Sequence, residues 1–222
     1  NDKTVKMWNL EGVCLHTFTK HKDIVCQVQW SSDGKCFITA GSSDRTFIKW
    51  STTTFECLNK FTADYRIQDF SLSPKSSDRI CAVTSNRLHV FNLNDHEDTY
   101  TLQDSSSITS VVYSPCGRYV LCGLSSNSSA ASKNLDSANG ENGTSTNESK
   151  IQAKIHLWDL QERRLVKEYV GHPQTKYVLR PCFSEYPRRI FVCCGGENGG
   201  VYVWNTDDGT LLPDMPLTGH VS

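Results

Sequence analysis

The sequence predicts an all-β chain of four-stranded antiparallel blades, part of a propeller, and three observations predict it. A short strand-like stretch ending in an aromatic residue recurs five times, anchored by Trp8, Trp50, Phe91, Trp158 and Trp204. These anchors lie 42, 41, 67 and 46 residues apart. That is close to the roughly 40–45 residues of a four-stranded propeller repeat, with one lengthened interval. Within each interval, apolar residues alternate in the strand period and short Gly-, Asn-, Asp- and Ser-containing turns separate the runs.

The repeat resembles that of WD40-type β-propellers, and its elements follow in order. Residues 1–18 supply part of a blade: a turn, the strand ending in Trp8, a second turn at Leu10-Glu11-Gly12 and a strand over 13–18. Residues 21–61 form the clearest blade, with strands over 24–30, 35–41, 46–50 and 55–61. Its first turn, Ser31-Ser32-Asp33-Gly34, ends on a glycine, where a positive φ costs little. Residues 64–102 repeat the pattern over 67–72, 79–84, 87–91 and 99–102, with Phe91 in place of tryptophan. Residues 105–169 give strands over 108–113 and 119–123, then a Ser/Asn-rich insertion at 125–149, then strands over 151–158 and 163–169. Leu135 is the only large apolar residue of that insertion. It buries too little surface to offset the entropy of ordering, so the insertion is expected to be a disordered excursion within a strand–strand turn. Residues 172–217 give a last blade over 177–183, 189–195, 201–204 and 210–217, and Gly219-His220 starts another repeat. The expectation is a partial propeller of four complete blades plus part of another, since a closed ring takes more.

Composition excludes several classes of function. With 23 Lys and Arg against 24 Asp and Glu, the net charge of −1 makes no field that would gather nucleic acid or an anionic membrane surface. No apolar run approaches the length of a membrane span, and no signal-like segment is read at the start. The ten cysteines include no Cys-x-x-Cys pair, and no histidine spacing completes a zinc pattern. Cys26, Cys36, Cys81, Cys182 and Cys193 sit in strand-like runs and are expected to be buried free thiols, with Cys193 and Cys194 pointing to opposite sides of one strand. No cofactor, metal or small-molecule substrate is expected.

No nucleophile elbow, phosphate-binding loop or carboxylate pair appears, so the chain is not expected to be an enzyme. The glycine-rich stretch 195–200 lacks a lysine and a following helix and reads as a turn. His21, His172 and His220 each open a blade. In this repeat type such a histidine joins a hydrogen-bond chain with a second-strand Ser or Thr, a turn Asp and the third-strand Trp. His21, Asp44 and Trp50 fit that chain; Ala40 is placed at the Ser/Thr position, which would leave the chain incomplete. In the last blade Cys194 and Asn198 take the Ser/Thr and Asp positions. What remains is a surface. In an up-and-down meander, the loop entering each first strand and the turn between second and third strands share one end. Arg45, Asp64, Tyr65, Arg66, Asn86, Lys176, Tyr177 and Asn198 fall there and form a candidate partner-binding rim, rich in the Tyr and Arg that anchor interfaces.

The run His156-Leu157-Trp158-Asp159-Leu160-Gln161-Glu162-Arg163-Arg164-Leu165-Val166-Lys167-Glu168-Tyr169-Val170-Gly171 resembles the corresponding repeat of the WD-repeat subunits of GID/CTLH-type ubiquitin ligases. Gln174, Tyr177, Cys182-Phe183 and Val201-Tyr202-Val203-Trp204 follow in the same register. Arg66-Ile67-Gln68 before a Trp-less blade and the end Leu217-Thr218-Gly219-His220 match as well. The resemblance covers roughly residues 17–222 apart from the insertion. It implies a non-catalytic intracellular scaffold, cytoplasmic with the nucleus as a second location. Such a scaffold binds other ligase subunits and recruits substrate proteins for ubiquitination and proteasomal degradation. It also implies helical LisH and CTLH segments and further blades upstream, which tether such a subunit to its complex. The alternative is a generic WD-repeat interaction scaffold in another assembly, in signalling, trafficking or RNA processing.

Overall fold

The computed structural model describes residues 2–94, 98–125, 153–186 and 189–213. Among them, seventeen strands form five antiparallel sheets. The first sheet pairs β1 (Val5–Trp8) with β2 (Cys14–Phe18). The second orders β3 (Val25–Trp30), β4 (Cys36–Gly41), β5 (Thr46–Ser51) and β6 (Cys57–Thr62). The third orders β7 (Asp69–Leu72), β8 (Arg79–Thr84), β9 (Arg87–Asn92) and β10 (Asp98–Gln103). The fourth orders β11 (Ile108–Tyr113), β12 (Tyr119–Leu124), β13 (Lys154–Asp159) and β14 (Arg164–Val170). The fifth has β15 (Cys182–Tyr186), β16 (Arg189–Gly195) and β17 (Val201–Asn205). Every sheet is a meander of neighbours in chain order, because most connections are turns of a few residues that permit only an antiparallel return.

The aromatic anchors occupy equivalent lattice points. Trp50 lies opposite Phe37, Phe91 opposite Ile80, Trp158 opposite Val120 and Trp204 opposite Val192. Toward the outer strand the register slips at Lys49/Trp50 and Leu157/Trp158, and it slips again at Met7/Trp8 in the first sheet. A bulge recurring at one residue of the repeat re-aims the same side chain each time. Trp8 shares that bulge, but its sheet has only β1 and β2, and it stays 55% exposed where the other four anchors are buried.

The core lies between sheets. Phe18, Phe37, Ile48 and Trp50 join the first sheet to the second. Phe47, Phe61, Phe70, Ile80 and Phe91 join the second to the third. Val83, Leu88, Ile108, Val111 and Trp158 join the third to the fourth, and Leu121, Ile155, Tyr169, Val192 and Trp204 join the fourth to the fifth. Each such side chain contributes about 1.5–3 kcal/mol by leaving water, so every sheet is held by the neighbours it packs on. The innermost strands are stitched by polar groups. Gln29 donates to the Phe70 carbonyl and accepts from the Leu72 N–H. Asp69 and Ser71 accept from the N–H groups of Val111 and Tyr113, and Arg180 reaches back to Asp69.

Among the described residues the sheets do not close into a ring. The partial, all-β propeller expected from the sequence is the observed architecture. The last sheet differs in two details. Its first strand begins at Cys182 rather than at 177, because Pro181 has no N–H for a ladder and the preceding loop is tied elsewhere. Of its expected fourth strand, residues 214–217 lie outside the described residues, and the described part makes a single bridge between Trp204 and Leu211. Residues 126–149 of the insertion and His220 lie outside the described residues. The cysteine expectation also needs correction. Cys36 and Cys81 are buried, but Cys182 is exposed and Cys26 and Cys193 are half-buried.

A candidate partner-binding rim and the polar networks beneath it

The second sheet carries a complete hydrogen-bond relay. Trp50 Nε1 donates to Thr39 Oγ1 over 2.9 Å, and Thr39 Oγ1 lies 2.7 Å from His21 Nε2. His21 Nδ1 lies 3.1 Å from Asp44 Oδ2, which also accepts from the Lys22 N–H. A carboxylate only accepts, so Nδ1 carries the proton and Nε2 receives the Thr39 hydroxyl. Burial lowers the His21 pKa, and the Asp44 hydrogen bond and charge only partly oppose it, so the ring works as a neutral relay. The sequence reading placed Ala40 at the hydroxyl position; the hydroxyl is Thr39, one residue earlier. Thr39 stands two residues beyond Phe37, the partner of Trp50, and points to the same face. Gly41 is needed here, because a Cβ at that position would collide with the Asp44 carboxylate.

The same lattice point is solved differently in the other sheets. In the third, the Phe91 ring carries no N–H, and Ala82 takes the place of the hydroxyl. In the fourth, Cys122 takes that place, and Trp158 Nε1 donates instead to Asp104 Oδ2 at 3.0 Å. The same carboxylate oxygen lies 2.7 Å from His156 Nδ1, while His156 Nε2 lies 3.0 Å from Glu168 Oε2. Lys154 Nζ completes the row at 3.0 Å from Glu168. Two ionised carboxylates can only accept, so both ring nitrogens carry protons and His156 is a cation. Burial alone would lower its pKa, but hydrogen bonds and charge from Asp104 and Glu168 outweigh that and raise it. In the fifth sheet Cys194 holds the position, Trp204 Nε1 donates to the Val170 carbonyl, and His172 packs edge-on against the indole at 5.6 Å. His172 Nδ1 has no hydrogen-bond partner among the described residues. Burial lowers its pKa, against a hydrogen bond to Gln174.

Above these networks lie the rim residues, gathered in three places. Arg45 donates to the Asp64 carbonyl and Arg66 Nε to Ser42 Oγ, so the β4–β5 turn and the loop entering β7 form one surface with Tyr65, whose ring stacks on His89 at 3.8 Å. Asn86 exchanges hydrogen bonds with the backbone of Asp104. In the last sheet, Glu197 accepts from the Thr175 hydroxyl and from the N–H groups of Lys176 and Tyr177, at 2.6–2.7 Å. These bonds, the Thr175 hydroxyl first, hold its pKa down to about 2. They bind backbone and leave the Lys176 and Tyr177 side chains facing solvent, Tyr177 61% exposed. Asn198 is exposed but engaged locally, accepting from the Gly200 N–H and donating to the Tyr202 hydroxyl. The stretch 195–200 is therefore a turn whose acid clamps a neighbouring loop. Glu197 is the residue sequence reasoning missed; its only signal was an acid at the centre of a glycine-rich turn.

At the axis, the first strands of the last four sheets border a cleft of about 290 Å³ lined by Gln29, Ser71, Tyr113 and Cys182 among others. Among the described residues, no group of three or more His, Cys, Asp or Glu side chains is arranged to hold a metal ion.

Residues 12–51 and 96–130 match the WD domain, G-beta repeat family. The chain is 24% identical to the WD repeat-containing protein 26 homolog of Arabidopsis thaliana, over 99% of this chain and 32% of that protein. It is 26% identical to the WD repeat-containing protein WDS homolog of the same plant, over 99% and 38%. It is also 26% identical to GID complex subunit 7 of Schizosaccharomyces pombe, over 91% and 35%. The chain thus spans about a third of the length of these curated relatives. With the repeating register, the inter-sheet cores and the matched repeats taken together, the chain is an open stack of WD40-type propeller blades.

Proposed function

We propose that this chain is part of a non-catalytic scaffold of a GID/CTLH-type ubiquitin ligase, presenting its rim to other ligase subunits and to substrate proteins. The observation that carries the docking role is the Glu197 clamp. It fixes the loop at 175–177 through backbone bonds and leaves Lys176 and Tyr177 outward. A rigid, exposed aromatic beside a cation loses little entropy on binding, which suits an interface anchor. The ligase assignment is supported by similarity to GID complex subunit 7 along most of the chain, together with the run around Trp158. The reading places the protein in the cytoplasm and nucleus.

The test is affinity purification of the tagged full-length protein, with quantitative mass spectrometry of what accompanies it. Ligase subunits should be recovered. A Lys176→Ala, Tyr177→Ala double variant should reduce recovery of at least one partner while the protein stays folded. Recovery of a different assembly would favour the generic scaffold, and recovery of ligase subunits unaffected by rim variants would remove the rim from the proposal.

A further inference from the structure

The last sheet places two thiols side by side. Cys182 on β15 is the direct antiparallel partner of Cys193 on β16. Residues so paired share a face, with Cα atoms about 4.5–5.5 Å apart, inside the roughly 4.4–6.8 Å that a disulfide spans. Both are free thiols; Cys182 is exposed and borders the axial cleft, and Cys193 is half-buried. The Cys193 thiol hydrogen-bonds to Cys182, which draws the Cys182 pKa down to about 6 and pushes that of Cys193 up. Cys194 follows in sequence but turns to the opposite face, into the core against the fourth sheet, where burial raises its pKa to about 12. Among the described residues, no other cysteine has a cysteine directly opposite it across a strand pair.

We propose that Cys182 and Cys193 form a reversible redox site, converted to an intrachain disulfide by a small-molecule disulfide of the glutathione class. The Cys182 thiolate attacks one sulfur of glutathione disulfide; a mixed disulfide forms, and the leaving glutathione thiolate takes up a proton. That step removes the negative charge beside Cys193, which had opposed its ionisation. Cys193 then loses its proton and attacks the Cys182 sulfur. The Cys182–Cys193 bond forms as the second glutathione leaves. Two protein thiols are oxidised and one glutathione disulfide is reduced to two thiols.

The experiment poises full-length protein in a series of reduced-to-oxidised glutathione ratios, traps remaining thiols by alkylation and maps the digested peptides by mass spectrometry. The expected result is the loss of two alkylatable thiols and a cross-linked peptide pair joining Cys182 to the segment holding Cys193 and Cys194, reversed by dithiothreitol. Cys194→Ala should keep the link. Cys193→Ala should abolish it and accumulate glutathione on Cys182. Stable glutathione on Cys182 in the unaltered protein with no link would overturn the proposal. So would a link that survives Cys193→Ala, or a Cys182 no more reactive than the buried thiols.

Discussion

The second and fourth sheets share a lattice and differ in chemistry. In each, a buried indole N–H at the third-strand anchor needs an acceptor. The second sheet supplies a neutral relay: Thr39, then His21, with Asp44 at its end. The fourth supplies an ionic one: Asp104 on the indole, then the His156 cation, then Glu168 and Lys154. The third sheet escapes the requirement by using Phe91. The repeat therefore conserves a shape and a hydrogen-bonding obligation within this one molecule, while the groups that meet the obligation are free to change. An unmet N–H at such depth costs about 1–3 kcal/mol, which is why the buried Trp50, Trp158 and Trp204 each have an acceptor.

The sharpest way to break the comparison is Asp104→Ala. It strips the acceptor from Trp158 Nε1 and His156 Nδ1 at once and leaves the buried cation with the more exposed Glu168 as its carboxylate partner. The expected loss is about 3–5 kcal/mol, read as a lower urea midpoint of the full-length protein. Thr39→Val keeps the shape but leaves Trp50 Nε1 and His21 Nε2 without the hydroxyl. It should cost less, about 1–3 kcal/mol in the same assay, because no charged group loses a partner. Equal losses from the two variants would mean that the ionic and neutral relays are not different in kind.

Proton titration separates the two histidines without any mutation. Histidine resonances followed by NMR should give His21 a midpoint below 6.5 and His156 a midpoint above it. The stability consequences have opposite signs. His156 binds its proton more tightly when folded, so its contribution is full below pH 6.5 and fades as pH rises through its folded value. His21 binds its proton less tightly when folded, so its contribution is full above pH 6.5 and fades as pH falls through its folded value. A common midpoint for both would undo the assignment of charge. The smallest effect belongs to the rim. Tyr177→Ala removes an exposed ring whose backbone N–H, not its side chain, is held by Glu197, so the urea midpoint should not move while partner recovery falls.

Much of this architecture was legible because strands and turns are local. Alternation marks strands, and Ser31-Ser32-Asp33-Gly34 marks a turn, within a few residues of chain. The five anchors could be aligned by spacing alone. The hydroxyl of the relay was misplaced onto Ala40 because alternation names a face only if the register is known, and a one-residue error moves a side chain to the other face. The Glu197 clamp was not legible, since nothing in a glycine-rich turn says which loop lies across from its acid. Cys182 was read as a core filler because its run is apolar; its exposure follows from which face of the last sheet is covered.

The sequence by itself determined the class of fold and the spacing of the aromatic anchors, because these follow from periodicity and turn chemistry along the chain. Only the tertiary structure decided which groups meet. Asp104 reaches Trp158 and His156 from a loop more than fifty residues away, and Cys182 faces Cys193 through one choice of strand register. Hydrogen bonds, ion pairs and thiol contacts act over about 3–4 Å, so their partners are settled by packing between elements, which no local pattern encodes.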